Sequence, residues 1–202
     1  MADLSGAEEW DKEQNAARPS SSRAFLSRHD GIKMPGLRAH LIFWPLVVVG
    51  VALDLWSKSA VFDWLLQRQG GSGPIIDGFL QLVAVENAGA AFGIGSGQRY
   101  LLTAVSIIAL IVILGIFLFS GTGKKLLYVA LGLFAAGVCG NLYDRVFNDG
   151  RVRDFIDIVY WPGKHWPAFN VADSMLCIGV GLLLISGLFT EKSYRKRAQQ
   201  RK

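Results

Sequence analysis

The sequence has two cysteines, Cys139 and Cys177, and three histidines, His29, His40 and His165. The cysteines form no CxxC pair and both fall inside apolar runs, which argues against a disulfide framework or a dithiol site. Each reads as a small buried apolar residue. There is no HExxH, and the histidines are too scattered for a zinc site, so neither a metal nor a cofactor is expected.

Charge is missing over long stretches. Tyr100 to Gly123 carries no Asp, Glu, Lys or Arg over 24 residues, Leu126 to Tyr143 none over 18, and Ser174 to Thr190 none over 17. A fourth apolar run, Ala39 to Leu53, continues through Asp54 and Lys58 to Phe62. A helix needs roughly 20 residues to cross about 30 Å of hydrocarbon. The expectation is four transmembrane helices, near residues 39–62, 100–120, 126–147 and 172–190. The first follows 38 mostly polar residues, is too long for a leader's apolar region and has no small-residue cleavage site, so it reads as a span.

Basic residues set the expected orientation. Residues 1–38 hold six Lys and Arg, the 124–125 loop two, and the tail from Glu191 six. Residues 61–99 and 148–172 hold only two and three. The positive-inside rule then puts both termini in the cytoplasm and the loops 61–99 and 148–172 outside. Trp56, Trp64, Tyr100, Tyr143, Tyr160, Trp161 and Trp166 fit an outer interfacial belt. Residues 1–36, rich in Ser, Glu and Arg, read as a disordered cytoplasmic extension. Residues 191–202 read as a basic tail at the anionic inner leaflet. The net charge of +5 lies beside span ends without interleaved aromatics, so no nucleic acid is expected. Gly70 to Pro74 reads as a turn, and Ile75 to Gly93, too short and too glycine-rich to span, as short strands or a re-entrant lip. Residues 151–160 alternate in part, as a strand would.

On this topology the polar residues gather at one depth. Asp54 and Lys58 lie near the outer end of span one, Asn141, Asp144 and Arg145 at the outer end of span three, and Asn170 and Asp173 at the outer start of span four. Asn87 and Asp154 lie in outer loops. Ionisable groups in spans are costly and are candidates for function. Each also has a plainer reading. Asp54 and Lys58, at i and i+4, suit a structural ion pair. Asp144 and Arg145 point different ways around a helix, so each is expected to pair with a neighbouring span. Asp173 could be an N-terminal acid favoured by the helix dipole, and Asp154 a solvated loop carboxylate. Ser57 and Lys58 stand about 100° apart on a helix, a poor serine–lysine dyad. Gly93 to Gly97 lacks the strand–turn–helix setting of a phosphate loop. Carboxylate chemistry remains: two aspartates sharing a proton can activate water and protonate a leaving amine.

Five blocks carry a resemblance: Asp54-Leu55-Trp56-Ser57-Lys58, Asn87-Ala88-Gly89-Ala90-Ala91-Phe92, Gly140-Asn141-Leu142-Tyr143-Asp144-Arg145, Val152-Arg153-Asp154-Phe155 and Phe169-Asn170-Val171-Ala172-Asp173-Ser174. In their order and on a four-span frame, over roughly residues 38–190, the sequence resembles the lipoprotein signal peptidase (signal peptidase II) family. Ser57 stands where threonine is common, and the N-terminal extension is outside the family's usual frame. The resemblance implies a membrane all-α fold of four helices, topped by a small outer-surface β-cradle and a short interfacial helix. It implies Asp154 and Asp173 as the catalytic pair. It also implies that Asp54, Lys58, Asn87, Gly89, Asn141, Asp144, Arg145 and Asn170 bind substrate or brace the site. The expected enzyme is an aspartic endopeptidase of the bacterial plasma membrane, acting as a monomer among membrane lipids. It would remove signal peptides from diacylglyceryl-modified prolipoproteins just before the lipidated cysteine. A small ion-coupled transporter is the rival, but it would place acids near the midplane, often with repeat symmetry. A non-catalytic scaffold would not need five polar blocks.

Overall fold

The computed structural model describes residues 34–68, 71–90, 93–119 and 124–199, the last twelve of these as backbone alone. Among the described residues there are four helices: α1 (Leu37–Leu66), α2 (Arg99–Phe119), α3 (Lys125–Phe147) and α4 (Val171–Gln199). The strands are β1 (Ser72–Ile76), β2 (Leu80–Asn87), β3 (Val152–Trp161) and β4 (Lys164–His165). They form one antiparallel sheet in the order β1-β2-β3-β4.

By length and composition α1, α2 and α3 can each cross a membrane, and α4 adds a shorter apolar stretch, Val171–Gly187. At 1.5 Å per residue that stretch covers about 26 Å, and its backbone continues as helix to Gln199. The extension expected at residues 1–36 lies almost wholly outside the described residues. The tail expected at 191–202 is a continuation of α4 as far as Gln199.

Lipid offers no hydrophobic drive for helices to associate, so close packing must supply it. The central helix α3 is built for that. Ala130, Ala135, Ala136, Gly137 and Gly140 are all buried, and α3 packs against the other three helices. At the end of the bundle away from the sheet, the Phe43 ring stacks on Phe117 at 4.1 Å between centroids, with Tyr128 edge-on at 5.9 Å. By contrast only Ile113 and Phe117 of α2 are buried. Its exposed Val105, Ile108, Ile111, Val112 and Ile116 make a surface suited to hydrocarbon.

The sheet sits on the ends of α1 and α3. A Cβ at Gly73 would run into the Trp64 ring, so β1 lies directly over the last turns of α1. Between α3 and β3 the chain reverses through Asn148-Asp149-Gly150, with Asp149 and Gly150 at φ of 47° and 83°. An Asn-Asp-Gly run is suited to such left-handed positions. The reversal returns Arg153 to the helix it has just left.

Two loop expectations change. The first hairpin turn falls at Asp77-Gly78-Phe79, with Gly78 at φ 71°, while Ser72 to Pro74 belong to β1. Asp-Gly is the stronger hairpin signal. Among the described residues no separate interfacial helix stands before α2. Gly93, Gly95 and Gly97 have φ of 74°, 70° and 81°, which no right-handed helix accommodates, and the segment is a run of turns.

Gly140 is the tightest point of the bundle for the site. A Cβ there would overlap the Asp54 carboxylate and lie 3.2 Å from the Ala172 Cβ. Gly140→Val is expected to lower stability by about 1–3 kcal/mol, read as a lower melting temperature in detergent micelles.

Candidate active site

The site begins with a lysine that has no access to solvent. Lys58 on α1 is 0% exposed, and its Nζ lies 2.7 Å from Asp54 Oδ2, 3.1 Å from Asp144 Oδ2 and 3.0 Å from Asn141 Oδ1. Three ammonium protons meet three acceptors, which is what a buried cation requires. The i,i+4 pair with Asp54 is present. Asp144 extends it to α3.

Each of the two carboxylates uses its other oxygen to hold a different element. Asp54 Oδ1 accepts the Ala172 N–H at 2.8 Å and so binds the first turn of α4. Asp144 Oδ1 accepts Arg153 Nη2 at 2.7 Å and Nε at 3.1 Å, and Oδ2 accepts the Arg153 backbone N–H at 3.0 Å. Asp144 is therefore the point at which β3 is fastened to α3.

The start of α4 is closed by a reciprocal cap. Asn170 Oδ1 accepts the Asp173 N–H at 2.9 Å, and Asp173 Oδ2 accepts the Asn170 N–H at 3.2 Å. This is the capping-box pattern with Asn and Asp in the two roles. Phe169 pairs with Ile156 as an isolated bridge, so the cap lies alongside β3. Asn170 Nδ2 can then donate to Asp154 Oδ1 at 2.7 Å and to Asn141 Oδ1 at 3.1 Å. Asn141 Nδ2 donates to Asp173 Oδ1 at 2.8 Å. Asn87 on β2 donates to Asp154 Oδ2 at 3.1 Å, and its own Oδ1 accepts the Gly89 N–H at 2.9 Å.

Asp154 and Asp173 are thus joined through two asparagines. Asp154 is 2% exposed and is no solvated loop carboxylate; Asp173 is partly exposed. Loss of hydration and then the like charge of Asp173 push the Asp154 carboxyl up to about 6, against the pull of the Asn87 and Asn170 donors. Arg145 departs from the pairing expected of it. It is buried, and it donates to backbone carbonyls, from Nη2 to Gly89 at 3.3 Å and from Nη1 to Asn141 at 3.4 Å. The Gly89 lip comes within reach of it, while Asp144 is taken up by Lys58 and Arg153.

All ten residues singled out in the sequence stand in this one bonded network. Sequence reasoning passed over Arg153, although a basic residue beside a strand acid was a signal. It also passed over a second buried acid, Asp157, which holds Gln81 Nε2 at 2.6 Å and His165 Nδ1 at 2.8 Å and ties β2, β3 and β4 together.

The sequence model of a family described as signal peptidase (SPase) II matches residues 46–189. A lipoprotein signal peptidase of Geobacter sulfurreducens is 43% identical over 154 residues, covering 75% of this chain and 94% of its own. One from Bacillus pumilus is 38% identical over 162 residues, covering 77% and 98%. The chain belongs to the signal peptidase II family. Among solved structures, a bacterial membrane enzyme is similar with a TM-score of 0.68 and 33% identity, over 81% of this chain and 95% of its own. Membership places the chain among membrane-embedded peptidases of lipoprotein processing, and all ten site residues lie within the matched span.

The Lys58 cluster makes a stability prediction for this signal peptidase II fold. Lys58→Met leaves the buried Asp54 carboxylate without its cation, while Asp144 keeps Arg153, and is expected to cost about 3–5 kcal/mol. Adding Asp54→Asn to that variant should return part of the loss, which a double-mutant cycle of detergent melting curves would measure.

Proposed function

We propose that the chain is an aspartic endopeptidase in which Asp154 and Asp173 hydrolyse the signal peptide bond of a diacylglyceryl-modified prolipoprotein, just before the lipidated cysteine. The observation that carries this reading is the join between the two carboxylates. They come from different elements, β3 and α4, and one side chain, Asn170, bonds to both residues.

Charge bookkeeping supports a shared proton. The network contains four carboxylates, Asp54, Asp144, Asp154 and Asp173, against three cations, Lys58, Arg145 and Arg153. Fully ionised it would carry one uncompensated negative charge in a site largely removed from water. A single proton on the Asp154–Asp173 pair removes that charge, and like charges in one site favour such sharing. The proton belongs to the pair.

The chemistry follows from that state. The ionised carboxylate takes a proton from water while the water oxygen attacks the scissile carbonyl carbon. As the C–N bond breaks, the protonated carboxyl gives its proton to the leaving nitrogen. The pair again holds one proton, now on the other member. A C–O bond forms and a C–N bond breaks, and every proton moved passes between groups of this chain, water and substrate.

The membrane supplies the rest of the reading. The polar network lies at one end of helices whose outward faces are apolar, so a signal helix and acyl chains could approach through the lipid while the scissile bond meets the carboxylates at the interface. With both termini cytoplasmic, by the positive-inside rule, the site faces the outer leaflet. Exposed Tyr160, Trp161 and Trp166 on the sheet suit that interface.

Asp154→Asn and Asp173→Asn should each abolish cleavage of a lipid-modified precursor, with melting curves and membrane insertion retained. Full activity of either variant overturns the assignment. An unmodified precursor is expected to be cut far more slowly. The pH profile should also carry a sign. Above about 6 the free enzyme loses the shared proton, so kcat/KM should fall on the alkaline side. The corresponding limb of kcat should lie higher, because bound acyl chains remove more water from the pair.

A further inference from the structure

Arg153 immediately precedes Asp154, and Ala172 immediately precedes Asp173. The contacts between these two neighbours form an unbroken chain. Arg153 holds Asp144 through Nε, Nη2 and its backbone N–H. Asp144 holds Lys58, and Lys58 holds Asp54. Asp54 holds the Ala172 N–H. The chain passes from β3 through α3 and α1 to α4.

We propose that Arg153 is a positioning residue that fixes the distance between the Asp154 and Asp173 carboxylates, acting through the Asp144–Lys58–Asp54 frame. The inference rests on the catalytic reading given above and adds a residue and a role to it.

The geometry favours Arg153 for this over any other side chain near Asp154. Asn170 and Asn87 contact the carboxylate itself, but each through one neutral bond. Arg153 fastens the strand. It makes two guanidinium bonds to a single carboxylate oxygen of Asp144 and a backbone bond to the other, and three bonds fix a residue in direction as well as distance. Its remaining Nη1 lies 3.4 Å from Ser59 Oγ, a long contact that adds little. Nine residues separate Arg153 from Asp144, and the reversal at Asp149-Gly150 lies between them. The fork thus closes a short loop and transmits the position of α3 to the strand carrying Asp154.

Substitutions separate charge from geometry. Charged groups around Asp154 are Asp173 on α4, Lys58 on α1, Asp144 and Arg145 on α3 and Arg153 on its own strand; β2 contributes the neutral Asn87. Removing a cation raises the pKa of a nearby carboxyl. Moving Asp154 away from Asp173 and toward water lowers it. Arg153→Lys keeps the cation but loses the planar fork, so it changes geometry alone. In every variant at 153 Asp144 Oδ2 keeps Lys58 and the backbone N–H, while Arg153→Met leaves Oδ1 without those donors, so its melting curve is read beside its kcat.

The experiment measures kcat, KM and their pH dependence for the full-length enzyme in lipid, with a diacylglyceryl-modified precursor. Arg153→Lys, Arg153→Met and Ser59→Ala are compared with the parent, and Asp154→Asn is the control for the catalytic reading. The expected result for Arg153→Lys is kcat about 10- to 100-fold lower, unchanged KM, and an alkaline limb of kcat/KM moved to lower pH. Arg153→Met should lose more in kcat, and Ser59→Ala should match the parent. Parental kcat and an unmoved pH profile in Arg153→Lys would overturn the inference while leaving the catalytic pair intact. A loss of kcat with an unmoved profile would also overturn it, by making Arg153 a residue of general stability. Activity in Asp154→Asn would instead remove the catalytic reading on which it rests.

Discussion

The structure depends on the ammonium of Lys58. A cation with no exposure to water, at the end of a membrane bundle, costs several kcal/mol unless each of its protons is met. Asp54, Asp144 and Asn141 meet them. That requirement brings α1 and α3 together at one height, and it places two carboxylates whose other oxygens remain to be used. One takes the amino end of α4 and the other takes β3. The lysine touches neither proposed catalytic acid, yet its two partners hold the residues just before them. Gly140 serves the same arrangement, since only a residue without a side chain leaves space for the Asp54 carboxylate between α1, α3 and α4.

The polar frame and the apolar bundle therefore have separate tasks. Below the site, small residues on α3 allow helices to approach, and an aromatic stack of Phe43, Phe117 and Tyr128 closes the far end. Such packing fixes the helices but not a carboxylate to a fraction of an ångström. Directional bonds do that. Of the two asparagines at the centre, Asn170 caps a helix and bonds Asp154 with the same side chain, so the cap that starts α4 also sets the geometry of the proposed catalytic pair. Secondary structure and chemistry are the same bonds here.

Much of this was legible in the residues. Runs free of charge match α1, α2 and α3 to within a few residues, because hydrocarbon imposes a length on any helix that crosses it, whereas α4 continues nine residues past the expected end, to Gln199. The i,i+4 spacing of Asp54 and Lys58 gave their ion pair. What pattern could not reach were contacts made by non-local pairing. Asp154 looked like a loop acid because β3 alternates poorly; its burial comes from Asn87 on β2 and Asn170 at the start of α4, which are far away in sequence. Its proposed catalytic role rests on resemblance in the sequence. Arg153 went unnoticed for a related reason. A basic residue beside an acid suggests a solvated pair, and only the reversal at Asp149-Gly150 turns the guanidinium toward Asp144. The short interfacial helix was implied by the resemblance, and among the described residues the segment before α2 has three left-handed glycines instead.

The two acids are not equivalent, and the frame explains why. Asp154 lies within the sheet, bonded on both oxygens and almost without exposure. Asp173 stands in the first turn of α4 and keeps part of its surface open. Hydration favours the charged form and burial the neutral one. In the proposed reaction the open side at Asp173 is the natural entry for water. Acyl chains seated against the apolar helices would dry that open side and bring the surroundings of the two acids closer to equal. Lipid on the substrate would then serve catalysis as well as recognition.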